Sequence, residues 1–143
     1  MSSEERPALH SHTFRLSYGE TDPAGILYYG TWFRRMESVL SEFMYLEGLR
    51  QDELKDRFGW WMVTRATECE YLIAVGLFDE IRLELRVGEI RTSAFVFEFR
   101  MIRVADGVLV GRASVTDVTV SPDGHPVRIP VEFRERLEEW ARR

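Results

Sequence analysis

Asp22 heads the residues of this sequence that could do chemistry. It lies in the segment Tyr18-Gly19-Glu20-Thr21-Asp22-Pro23-Ala24-Gly25-Ile26-Leu27-Tyr28-Tyr29-Gly30-Thr31-Trp32. Asp22 to Gly25 fits a type I turn, with Asp at the first position, Pro at the second and Gly at the fourth. A turn alone is a structural feature. This one leads into a long helical pattern, and the first N–H groups of a helix have no intrahelical acceptor. They bind acceptors with help from the positive end of the helix dipole. A carboxylate facing free N–H groups across a gap is a workable arrangement for acyl transfer. The amides polarise a carbonyl oxygen while the carboxylate attacks it or activates water. An aspartate with an ordinary pKa near ~3.9 is already ionised at neutral pH.

Other chemistries find little support. There is no Gly-x-Ser-x-Gly, no Gly-rich phosphate loop and no His-Glu-x-x-His. The three histidines, His10, His12 and His125, fit no metal-ligand spacing and are expected on the surface, so no metal is expected. Cys69, the single cysteine, reads as a buried structural thiol in a strand; alone it excludes an intramolecular disulfide and a multi-thiolate zinc site.

The elements that must position Asp22 are marked by changes of period. Phe14, Leu16 and Tyr18 alternate with polar neighbours and predict a first strand over 12–18. Trp32, Met36, Val39, Leu40, Phe43 and Met44 recur at three- and four-residue steps. They predict an amphipathic helix from Leu27 or Thr31 to Leu46, stopped by Gly48. From Trp61 onward the period is two: Ile81, Leu83, Leu85 and Val87, then Phe95, Phe97, Phe99 and Met101, then a β-branched run over 108–120. Asp106-Gly107 predicts a two-residue hairpin and 88–92 a looser turn. Pro130 opens a last helix with Phe133, Leu137 and Trp140 on one face. The order strand, long helix, four strands, short helix makes an α+β domain on an antiparallel sheet. One long helix is too little to cover such a sheet, and a second subunit is the natural cover.

Composition sets the frame. The 143 residues, 45% apolar and 30% charged, suit one soluble domain, expected over 12–143 behind a loose segment 1–11. No apolar run approaches the ~18 residues of a membrane span, and no secretory signal is visible. With one cysteine, this points to the cytoplasm. A net charge of −5 argues against nucleic-acid binding.

The run from Tyr18 to Tyr29, followed by Trp32 and Glu37, resembles the signature of the 4-hydroxybenzoyl-CoA thioesterase family of hotdog-fold proteins. The likeness extends over about 12–140, through Arg91-Thr92-Ser93 and the close Gly124-x-Pro126…Ile129-Pro130. It implies a curved antiparallel sheet wrapped around one long helix, and hydrolysis of an acyl-CoA thioester with no cofactor beyond the CoA of the substrate. Asp22 matches the family's nucleophile or general base, and Tyr29 the position whose backbone N–H polarises the thioester carbonyl. Some relatives place histidine at that position; this chain does not. Trp32 and Glu37 match helix positions lining the acyl pocket, and Arg91, Thr92 and Ser93 match the region that meets coenzyme A. The family builds its site between the two subunits of a dimer, and dimers pair into tetramers. Trp32 is also the first core position of its helix, Glu37 a possible solvated position and Arg91 a possible exposed turn residue. Of Trp60 and Trp61 at most one can line a pocket, since adjacent strand residues face opposite ways; Trp61 is taken as the candidate, and with Trp32 it suggests an aromatic or compact acyl group. Glu68 receives no role. The rival readings are a hydratase or dehydratase, which needs an acid/base pair that no histidine near Asp22 supplies, and a non-catalytic acyl-CoA-binding module.

Overall fold

The computed structural model describes residues 6–143. Five strands form one antiparallel sheet in the order β1-β3-β4-β5-β2. They are β1 (His10–Arg15), β2 (Trp61–Tyr71), β3 (Glu80–Ile90), β4 (Ala94–Arg103) and β5 (Val108–Val120). Helix α1 (Thr31–Leu46) lies against β3 and β1, and α3 (Val131–Arg142) packs beside it on β3. This is the hotdog arrangement. No helix among the described residues is long and apolar enough to cross a membrane.

The periodic residues are the core. All six apolar positions of the α1 pattern are buried, at 3% exposure or less, and the alternating sets on β3 and β4 are buried too, Val87 the most exposed of them at 7%. Full burial of one such side chain is worth roughly 1.5–3 kcal/mol. Phe133 and Trp140 of α3 complete the packing: Phe133 lies tilted against Trp60 at 4.6 Å and Trp140 edge-on to Phe43 at 4.9 Å.

Four local features depart from the expectations. The first strand is His10–Arg15, two residues earlier at its start, because Leu9 to Arg15 pairs with β3 and Ser17 turns the chain out. His10 and Ser11, expected in the loose segment, pair with Leu85 and Glu84; residues 1–5 of that segment lie outside the described residues. The β4–β5 hairpin has a four-residue loop, since Arg103 pairs with Val108. Asp106 builds it by taking the Arg103 guanidinium on both oxygens, while Gly107 adopts φ +72°. A five-residue helix, α2 (Leu54–Phe58), was not legible; it buries a single residue, Leu54.

Candidate functional site

The segment carrying Asp22 is fastened to α1 through Glu20. Ser17 and Glu20 form a capping box around a single 3₁₀ turn over Tyr18–Glu20. The Glu20 carboxylate then accepts two hydrogen bonds from Arg35 of α1, at 2.9 and 3.0 Å. Its backbone carbonyl accepts the Tyr28 N–H at 2.8 Å and the Thr31 hydroxyl at 3.3 Å. Arg35 in turn lies 4.0 Å over the Phe14 ring. Burial alone would raise the Glu20 carboxyl, but Arg35 and Ser17 outweigh it and hold it below the usual glutamate value.

Asp22 sits in the expected turn. Its Oδ1 accepts the Ala24 N–H at 2.8 Å, its carbonyl accepts the Gly25 N–H at 2.9 Å, and Gly25 takes φ +80°. Its own N–H reaches Ile26 O at 2.8 Å, and a Thr21–Leu27 bridge closes the loop. Among the described residues the second carboxylate oxygen has no donor. The side chain is part-exposed and open to a reactant.

Tyr29 precedes the helix. Gly30 occupies the N-cap position and Thr31 is the first helical residue. No acceptor among the described residues takes the Tyr29 N–H, and the Tyr29 carbonyl accepts the Tyr71 hydroxyl at 2.9 Å. Burial, then Cys69, pushes the Tyr71 phenol up to about 12. Around this point Ile26, Tyr28, Tyr29, Tyr71, Ile73 and Phe78 are each at least 41% exposed. Two backbone ties, Leu27 N–H to Val75 O at 2.7 Å and an Ile26–Gly76 bridge, hold the two segments side by side. The result is an open apolar surface, and Phe78 on it holds φ +68°, a conformation a bulky residue rarely takes.

From Tyr71 the helix-facing row of β2 runs through Cys69 and Thr67 to Thr64 and Met62. That row borders a cavity of about 220 Å³ whose other walls include Phe33, Met36 and Glu37 of α1 and Asp117 of β5. Asp117 is 3% exposed and accepts the Thr64 hydroxyl at 2.9 Å. Burial first, and the nearby Glu37 charge second, push its carboxyl up to about 6 against the pull of Thr64. Glu37 accepts the Ser41 hydroxyl at 2.7 Å. The β2 row therefore joins the Asp22–Tyr29 segment to a chamber with two carboxyl groups.

The other candidates fall elsewhere. Trp32 is 2% exposed, edge-on to Phe14 at 6.3 Å, in the core and not among the cavity walls. Trp61 is on the opposite face of the sheet from that row, its Nε1–H bonded to Ser121 O at 3.0 Å, while Trp60 packs under α3. The two tryptophans do not form one wall with Trp32. Arg91 is exposed and ion-paired with Glu89 at 2.9 Å. Its turn is tied to the C-terminal segment, where Thr92 O accepts the Ile129 N–H, and to β5, where Ser93 O accepts the Thr119 N–H. Arg91 borders a hollow of about 280 Å³ on the outer face, with Glu68 and Glu98. Cys69 is half-buried, its thiol pushed up by burial. Sequence reasoning missed Glu20 as an anchor, Asp117 as a buried acid, and the meeting of His10 and His12 with Glu42. For Asp117 a local signal existed: a lone acid inside a β-branched strand.

A family model described as thioesterase-like superfamily matches residues 16–140. The chain belongs to that superfamily, and it is a hydrolase of thioesters. It is 29% identical to a protein of Aquifex aeolicus that carries an esterase name, over 87% of this chain and 94% of that one. It is 24% identical to the acyl-CoA thioesterase YbgC of Haemophilus influenzae, over 87% and 90% of the two chains. Among solved structures, an aspartate-to-asparagine mutant of 4-hydroxybenzoyl CoA thioesterase, complexed with 4-hydroxybenzoyl CoA, superposes with a TM-score of 0.78. That match covers 87% of this chain and 95% of the other at 21% identity, which establishes the common fold.

Proposed function

We propose that the protein hydrolyses acyl-CoA thioesters carrying an aromatic or compact acyl group, with Asp22 as nucleophile or general base. The observation that carries this reading is the Asp22–Tyr29 segment itself. Among the described residues it holds a carboxylate with one oxygen unengaged and, at its other end, a backbone N–H without an acceptor. The Tyr29 N–H donates to the thioester carbonyl oxygen. Asp22 then either attacks the carbonyl carbon directly, giving a mixed anhydride that water opens, or takes a proton from the attacking water. In both routes the C–S bond breaks and CoA leaves as the thiol, with no other cofactor.

The acyl group lies along the row of β2 toward the cavity beneath α1. A cavity near 150 Å³ accommodates benzene, so one of about 220 Å³ takes a ring or a short chain. Arg91 meets the CoA phosphates, and Trp32 supports the wall from the core. A second copy of the chain completes the site. Among the described residues the outer edge of β2 is unpaired along 11 residues, and the surface around Tyr29 and Phe78 is apolar and open. The dimer, or a pair of dimers, covers both.

The test is Asp22→Asn, assayed by release of free CoA thiol from benzoyl-, phenylacetyl-, butyryl-, hexanoyl- and palmitoyl-CoA. The substitution keeps the Oδ1 acceptor of the turn and removes charge and basicity. Turnover should fall roughly 10²–10⁴-fold with the fold intact. Near-normal rates in a folded sample would move the chemistry to another group. A maximum at palmitoyl-CoA would overturn the acyl assignment alone.

A further inference from the structure

We propose that His10, His12 and Glu42 form a binding site for a divalent transition metal such as Zn²⁺ or Co²⁺. His10 and His12 are two apart on β1, so their side chains point to the same face of the strand, toward α1. Glu42 projects from α1 to meet them. His10 Nε2 lies 2.6 Å from Glu42 Oε2, and His12 Nε2 contacts the same oxygen. One ligand atom from each residue lies within 4.8 Å of the other two.

Their chemistry selects the metal. Two imidazoles and a carboxylate are donors for zinc, cobalt, nickel and copper(II); calcium and magnesium take oxygen donors. Bonds of ~2.0–2.2 Å to a shared ion require the three atoms to separate slightly from their present contacts. The ion replaces an arrangement in which two imidazoles compete for one carboxylate oxygen.

The site is accessible and partly pre-formed. The three side chains are 21%, 29% and 49% exposed, so an ion and one or two waters can enter. The imidazole rings pack edge-on at 5.3 Å, and His10 also lies 6.3 Å from the Phe43 ring, which limits their rotation. The cluster shares no residue with the Asp22 turn or with the walls of the cavity beneath α1. A bound ion cross-links the edge strand β1 to α1.

The experiment uses the full chain, stripped with a chelator and titrated with Co²⁺ at neutral pH. Expected are the visible absorption bands of four- or five-coordinate cobalt, saturating at one ion per chain and lost on addition of Zn²⁺, with a higher unfolding temperature. His10→Ala, His12→Ala and the conservative Glu42→Gln should each weaken binding at least as much as the roughly 10–100-fold that loss of an outer hydrogen-bond partner costs a metal site. His125→Ala should bind as the parent does. Absence of the bands in folded protein would overturn the site. So would equal binding by the parent and a folded His10→Ala/His12→Ala double variant.

Discussion

Asp117 is 3% exposed on the helix-facing side of β5, with its carboxyl raised from 3.8 to about 6 by burial first and the Glu37 charge second. In the unfolded chain it ionises near 3.8. Below that pH both states are protonated and the residue contributes nothing to the pH dependence. Between 3.8 and about 6 the native state keeps a proton that the unfolded state has lost, so stability falls as pH rises. Above about 6 both states are ionised and the loss is complete. A raised value of about two units, at about 1.4 kcal/mol each, is a penalty on the order of 3 kcal/mol at neutral pH.

Asp117→Asn cannot ionise, preserves size and still offers Thr64 an acceptor oxygen. It should match the parent near pH 4 and exceed it by about 2–3 kcal/mol at pH 7.5. With a urea m-value of about 2 kcal/mol/M, the unfolding midpoint should rise by about 1–1.5 M. Urea titrations of both proteins at intervals from pH 4 to 8 give the difference curve. A difference that does not change with pH, or an Asn variant less stable at pH 7.5, would refute the assignment of the penalty to a buried charge. Retention of so costly a residue at the cavity wall suits a site that trades stability for binding.

Glu20→Gln should lower kcat at least about tenfold and cost about 1–2 kcal/mol, because the part-buried Arg35 loses its charge partner and the Asp22 segment its anchor. An unchanged rate would show that the turn holds itself. Arg91→Ala should raise KM for acyl-CoA more than it lowers kcat, since a phosphate contact is equal in ground and transition states. The effect should shrink for acyl-pantetheine; equal losses on both substrates would make Arg91 structural. Sedimentation at micromolar concentration should give dimers or larger, and a single 16.8 kDa species would remove the shared site.

What was legible in the sequence was what burial and local turn chemistry impose. The six apolar positions of α1 had to recur at helical spacing to face the sheet, and the alternating residues of β3 and β4 had to point inward together. The Asp22 turn was legible because its hydrogen bonds close within four residues. Contacts between distant segments left no such mark. Glu20 gains its role from Arg35, 15 residues on, and His10 from Glu42, 32 residues on. Adjacent tryptophans could be known to face opposite ways, but the assignment of Trp61 to the pocket side needed the β2–β5 register, which pairs Trp61 with Val120 and puts Met62 on the helix side instead.

The same division separates a reactive group from a site. A short motif can aim the Asp22 carboxylate and leave the Tyr29 N–H unpaired among the described residues, and it does so within a dozen residues. It cannot exclude water or hold an acyl group. Those depend on the row from Tyr71 to Met62, on β2 being a sheet edge, and on a buried acid on β5, the strand next to the Phe97 core row. A single chain leaves that row bordered by α1 on one side and open on the other. The open side is where a partner must act if the thioester is to react out of water, since electrostatic stabilisation by one amide is strong only where solvent is displaced. On the proposed reading the monomer therefore has the reactive atoms without the enclosure, and catalytic rate should follow dimer concentration on dilution. A kcat independent of dilution through full dissociation would show that one chain suffices.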